Sequence, residues 1–97
     1  MTEFTDGARV VPDGPGIRRR RRERGWSQRE LARAICDAHE RATGRRVGFN
    51  LNLLHHVEEE NEPVDYATLV LVAGGLDCDP VELVAARGAR LGAGARA

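Results

Sequence analysis

Apolar residues in this chain recur at helical spacing, in blocks separated by glycine and proline. The first block is expected to form a helix from about Ile17 to Arg24 that stops at Gly25, whose missing Cβ permits the left-handed backbone of a helix end. Ser27-Gln28-Arg29-Glu30 then has the form of a capping box, in which the Ser27 hydroxyl and the Glu30 carboxylate satisfy orphan amides at the start of a second helix. In that helix Leu31, Ala34 and Ile35 repeat at helical spacing, and the pattern continues through Ala38 and Ala42 until Gly44 ends it. Asn50 is a good cap for a third helix, with Phe49 before it and Leu54 four positions on as a hydrophobic staple; Leu54 and Val57 face inward. After Pro63, Asp65 begins a fourth helix whose Leu69, Val70, Val72 and Ala73 run to Gly74-Gly75. Asp79-Pro80-Val81-Glu82 supplies a cap, a first-turn proline and an acidic third position for a fifth helix that buries Leu83 and Val84.

These blocks define a helical domain over residues 17–86. Residues 1–16, rich in Gly and Pro with few apolar anchors, are expected to form a flexible arm, and residues 87–97 a fraying tail of Gly, Ala and Arg. Ninety-seven residues suffice for one compact domain but not for a deep, walled active site. The few aromatic residues and abundant Ala, Leu and Val favour an all-α class with an aliphatic core, Trp26 included in it. Cys36 and Cys78 have no CxxC or His-spaced partner, which suits buried thiols in a reducing cytosol rather than zinc ligands. No run is long and apolar enough to span a membrane and no secretory leader is evident, so the expected location is cytoplasmic. No nucleophile–base pair, phosphate-binding glycine loop or paired acid site stands out, so no enzyme activity and no cofactor is expected.

Charge changes the picture. The chain is neutral overall and all 15 basic residues are Arg. From Gly16 to Arg46, however, 11 Arg stand against Glu23, Glu30, Asp37 and Glu40, whereas Val47 to Ala86 holds eight acids and no Arg. A basic half is the footprint of a nucleic-acid binder, although a neutral total removes the long-range attraction that a uniformly basic protein enjoys.

Arg24-Gly25-Trp26-Ser27-Gln28-Arg29-Glu30-Leu31-Ala32 resembles the second-helix signature of the Cro/repressor (xenobiotic-response-element) family of helix-turn-helix DNA-binding proteins. Val57-Glu58, Pro63 and Gly75-Leu76-Asp77-Cys78-Asp79-Pro80-Val81-Glu82-Leu83-Val84 are similar to that family's third-helix end and closing helices, so the resemblance covers about 70 residues. It implies a five-helix repressor-type bundle whose second helix crosses the DNA backbone and whose third, about residues 50–59, enters the major groove. It implies further that Gln28 contacts phosphate and that Asn50, Leu51, Asn52, His55 and His56 occupy the outward positions of the recognition helix. Asn52 can bond adenine with both amide atoms, His56 can donate to guanine and Leu51 can meet a thymine methyl. Arg18, Arg19, Arg20, Arg21, Arg22, Arg45 and Arg46 would add phosphate contacts. A transcriptional regulator of this kind is expected to bind double-stranded DNA as a homodimer.

Two departures keep an alternative open. The connection between helices 2 and 3 is long, so helix 2 must extend to about Thr43 and leave Gly44 to Gly48 as a basic loop. Past the third helix, where the family commonly has Gly and basic residues, stand Glu58, Glu59, Glu60 and Glu62. Glu58 matches a structural Glu of the family, but Glu59, Glu60 and Glu62 would repel phosphate. With Leu51 and Leu53 on the reading face, the same scaffold could instead hold a protein partner. His55-His56 beside Glu58 and Glu59 invites a metal reading, but adjacent helical side chains point about 100° apart, and no metal is expected there.

Overall fold

The computed structural model describes residues 8–85. Within them lie a strand β1 (Arg9–Val10), helices α1 (Gly14–Glu23), α2 (Gln28–Thr43) and α3 (Leu51–Glu59), a strand β2 (Val64–Asp65), helix α4 (Tyr66–Leu76) and a 3₁₀ turn (Pro80–Leu83). The class is mostly helical, with four α-helices among the described residues where five were expected.

The capping chemistry sets the boundaries of α2 and α3. Ser27 Oγ accepts from Glu30 N at 3.1 Å and Ser27 N donates to Glu30 Oε1 at 2.8 Å, so both halves of the capping box form. Thr43 ends α2 and Gly44 turns it off with φ 77°. Asn50 Oδ1 accepts from Leu53 N at 2.7 Å and opens α3, while Phe49 and Leu54 are both buried as a staple requires.

Elsewhere the chain departs from its sequence expectations, in most places because distant segments meet. The stretch expected as a flexible arm through residue 16 is, from residue 9 on, part of the fold: Arg9 pairs with Asp65 and Val10 with Val64 in an antiparallel two-stranded sheet. α1 starts at Gly14, three residues early, because Asp13 caps it by accepting from Gly16 N at 3.1 Å and Pro15 fits the first turn. Asp65 precedes α4 without capping it; its carboxylate instead meets Arg9 at 3.3 Å. The expected fifth helix is only the 3₁₀ turn. Val84 leaves it in extended form to bridge Pro12, and Ala85 N donates to Val11 O at 2.8 Å, so the N-terminal segment takes the backbone a longer helix would use. Residues 1–7 of the expected arm and the tail at 87–97 lie outside the described residues.

The core joins all of these elements. Ile17 from α1, Leu31 and Ile35 from α2, Leu54 and Val57 from α3, Leu69, Val72 and Leu76 from α4, and Leu83 are fully buried. At about 1.5–3 kcal/mol for each such side chain, this cluster is the main source of stability. α2 and α4 form the most extensive helix pair, and Gly75 sets how closely they approach. A Cβ at Gly75 would lie 2.9 Å from Ile35 Cα and 2.6 Å from Ile35 Cγ1, so Gly75 serves the close approach of the two helices, and α4 runs through Gly74-Gly75 to Leu76 instead of stopping there. Two neighbouring substitutions should therefore have opposite signs. Gly75→Ala gains about 1 kcal/mol of helix propensity but clashes with backbone that cannot rotate away, for an expected net loss of about 1–3 kcal/mol. Gly74→Ala meets only Ala38 Cβ at 3.7 Å and should stabilise by roughly 0.5–1 kcal/mol. Urea unfolding of the two variants would check this; equal effects would contradict the close packing.

Candidate functional site

The site is organised around a buried ion pair at the meeting of α1, α2 and α3. Glu58, with a fully buried side chain, accepts from Arg21 Nε at 2.8 Å and Arg21 Nη2 at 3.0 Å, a fork-to-fork pairing. Arg21 Nη1 donates to Trp26 O at 2.9 Å, and Gln28 Nε2 donates to Glu58 Oε1 at 3.1 Å. These bonds fix the third helix against the first and join the start of the second to both. They also correct one expected role. All three guanidinium nitrogens of Arg21 donate within the protein, so Arg21 is not held ready for phosphate, whereas the half-buried Gln28 gives one amide N–H to Glu58 and keeps the other. Trp26, expected in the core, is half-buried against it, with the Arg24 guanidinium 5.8 Å from its ring centroid.

With Leu54, Val57 and Glu58 inward, α3 turns Asn52, His55 and Glu59 to solvent. Their i, i+3, i+7 spacing makes one stripe along the helix. No hydrogen bond engages the side chain of Asn52 or His55 among the described residues, so the Asn52 amide keeps both its donor and its acceptor free. The other expected base-reading residues are more constrained. The Asn50 oxygen is committed to the cap, which leaves only its amide N–H groups to read with. Leu51 is half-buried against the core, as is Leu53, so the apolar face expected from these two is largely spent inside the molecule. His56 is half-buried, its Nδ1 2.6 Å from Glu60 Oε1.

The arginine run divides by helical phase. Arg18 Nη1 donates to both oxygens of Glu59, at 3.0 and 2.9 Å, and Arg20 donates to Glu82 at 3.0 Å. Arg19 and Arg22 are exposed and, with Pro15, Arg18 and Glu23, border a shallow depression of about 350 Å³ on α1. In the α2–α3 connection Arg45 and Arg46 are both exposed, Arg46 in a surface pair with Glu40 at 2.8 Å. Arg29 and Arg33, outside the expected phosphate contacts, are exposed one turn apart on α2; their spacing opposite Leu31 and Ile35 is the sequence signal for that face.

The acidic segment is partly compensated. Glu58 is paired with Arg21 and Glu59 with Arg18, Glu60 shares a hydrogen bond with the His56 ring, and Glu62 is exposed. His56, Glu60 and Glu62 bring potential metal-ligand atoms within 4.8 Å of one another, a different set from the one the sequence suggested, and all three lie in or next to the solvent-facing end of α3. Away from α3, the outer half of α2 and the start of α4 border an apolar groove of about 490 Å³ lined by Ala38, Ala42, Val47, Ala67, Val70 and Leu71. No described helix is long and apolar enough to cross a membrane.

Both cysteines are free and half-buried. Burial pushes the Cys78 thiol up, and Glu82 and Asp79 add to the effect against the opposing pull of Arg20 and Arg24. At pH 8 Cys78 is therefore expected to be alkylated by iodoacetamide more slowly than free cysteine, with the difference abolished in urea, since the thiolate is the reacting form. Equal rates in folded and unfolded protein would contradict the desolvated environment.

Comparison with known proteins finds no matching family model, no matching curated protein and no matching solved structure.

Proposed function

We propose that this chain is a sequence-reading, double-stranded DNA-binding regulator of the Cro/repressor helix-turn-helix type, acting as a homodimer, with α3 as the recognition helix. The observation that carries the proposal is the outward stripe of α3, where Asn52 and His55 stand exposed without internal partners on a helix locked from behind by Arg21 and Glu58. Asn52 has the donor and acceptor that pair with the adenine edge, and His55 offers a donor to a guanine acceptor. Arg19, Arg22 and Arg45, with Arg29, Arg33 and Arg41, are exposed cations available to phosphate. The pairing of Glu58 and Glu59 with arginines removes part of the repulsion that their positions imply.

The alternative, a protein-interaction module using Leu51, Leu53 and the acidic loop, loses ground on the same observations. The two leucines pack inward, and two of the three loop acids are already paired. A duplex-binding titration by fluorescence anisotropy across salt concentrations separates the readings. Affinity is expected to fall linearly on a log–log plot with a slope of about −0.9 per phosphate contact. Absence of binding to any duplex at low salt, or binding insensitive to salt, would sink the DNA reading.

A further inference from the structure

We propose that Glu59 limits the affinity of this protein for DNA by occupying Arg18, so that a phosphate must displace the carboxylate before Arg18 can contribute to binding. The inference rests on the DNA-binding role proposed for α3.

Glu59 shares the outward stripe of α3 with Asn52 and His55 and is the acid on that stripe. It lies seven residues, two helical turns, beyond Asn52 and so at nearly the same angle around the helix. From there its two oxygens take the same Arg18 nitrogen at 3.0 and 2.9 Å. Arg18 belongs to the group on α1 that includes the exposed Arg19 and Arg22, and it borders the same surface depression. Glu59 thus takes a member of the basic cluster out of use at the point where that cluster reaches the recognition helix.

The Arg21–Glu58 pair beside it is different in kind. Glu58 is fully buried and Arg21 nearly so, whereas the Arg18 and Glu59 side chains are 26% and 35% exposed. A pair open to water contributes little to folding and is readily exchanged. A DNA phosphate offers the guanidinium an equivalent anionic partner with the added gain of counterion release. The buried pair therefore serves as a fixed support, while the exposed pair can be exchanged for phosphate without unfolding the helix.

Glu59→Gln, Arg18→Gln and the double variant, assayed with wild type by anisotropy on a labelled duplex over 50–200 mM salt, test this directly. Freeing one arginine should tighten binding by Glu59→Gln about tenfold per protomer at 0.1 M salt and steepen the salt slope by about 0.9. Arg18→Gln alone should weaken binding, because it leaves the Glu59 carboxylate unpaired on the α3 stripe, and it should erase the gain when combined with Glu59→Gln. Thermal melts should leave all three variants folded. A gain that persists in the double variant would mean simple charge repulsion and overturn the proposal, as would an unchanged affinity of Glu59→Gln where wild type binds. If no form binds any duplex, the DNA-binding role itself falls and takes the inference with it.

Discussion

Replacing Glu58 with alanine is expected to cost about 3–5 kcal/mol, most of the stability a domain of this size commonly has. The loss comes less from the missing attraction than from what remains: an Arg21 guanidinium held in the interior with two of its three bonded nitrogens deprived of their carboxylate. Gln28 would lose its partner as well. Arg21→Met combined with Glu58→Leu removes both charges and fills the volume, and that pair is expected to be near neutral or stabilising. Chemical denaturation of the two variants checks both values. A mild loss for Glu58→Ala would mean that water reaches the pair and that α3 is not fixed by it.

The second large effect concerns recognition. Asn52→Ala and His55→Ala are each expected to lower specific DNA affinity by about 1–3 kcal/mol, with the loss confined to the preferred sequence. Arg19→Gln and Arg22→Gln should instead weaken binding to all duplexes alike, each flattening the salt slope by about one unit. The two pairs of substitutions separate base reading from phosphate positioning, because side chains on the α3 stripe and on α1 would meet different parts of the duplex. Asn50→Ala is a less useful probe, since it removes the helix cap as well and would cost about 1 kcal/mol of stability.

What could be read from the sequence was largely what neighbouring residues decide. The Ser27–Glu30 capping box, the stop at Gly44 and the Asn50 cap depend on contacts within a few positions, and all three form. Apart from the start of α1, the elements that differ depend on segments far apart in the chain. Asp13 and Pro15 carry a local helix-start signal that the surrounding Gly and Pro obscured, and β1 exists only because Val64 and Asp65 pair with it. The 3₁₀ turn stays short because residues 11 and 12 bind the chain just beyond it, which Asp79-Pro80 cannot announce.

The site followed the same division. That Asn52 and His55 face outward was legible from helical spacing, once Leu54 and Val57 were assigned to the core. The fate of each arginine in Arg18–Arg22 was not, because five identical residues look alike until the phase of α1 against α3 is known. One clue was available. Arg21 lies four positions after Ile17, on the same helical face as a core residue, and a buried arginine there needs an acid such as Glu58. The pairing of the acidic segment was hidden for a similar reason, since Arg18 and Glu59 are adjacent only after α1 packs on α3.

Selection of bound sequences from a random duplex pool tests the central claim most directly, because it asks for sequence reading without presuming an operator. Enrichment of a consensus with twofold symmetry is expected, its half-sites about 34–36 Å or a multiple of that apart, and the enrichment should vanish for the combined Asn52→Ala and His55→Ala variant while weak, salt-dependent binding persists. Failure of the wild-type protein to enrich any sequence, or the same consensus from the combined variant, would contradict a role for α3 in reading DNA.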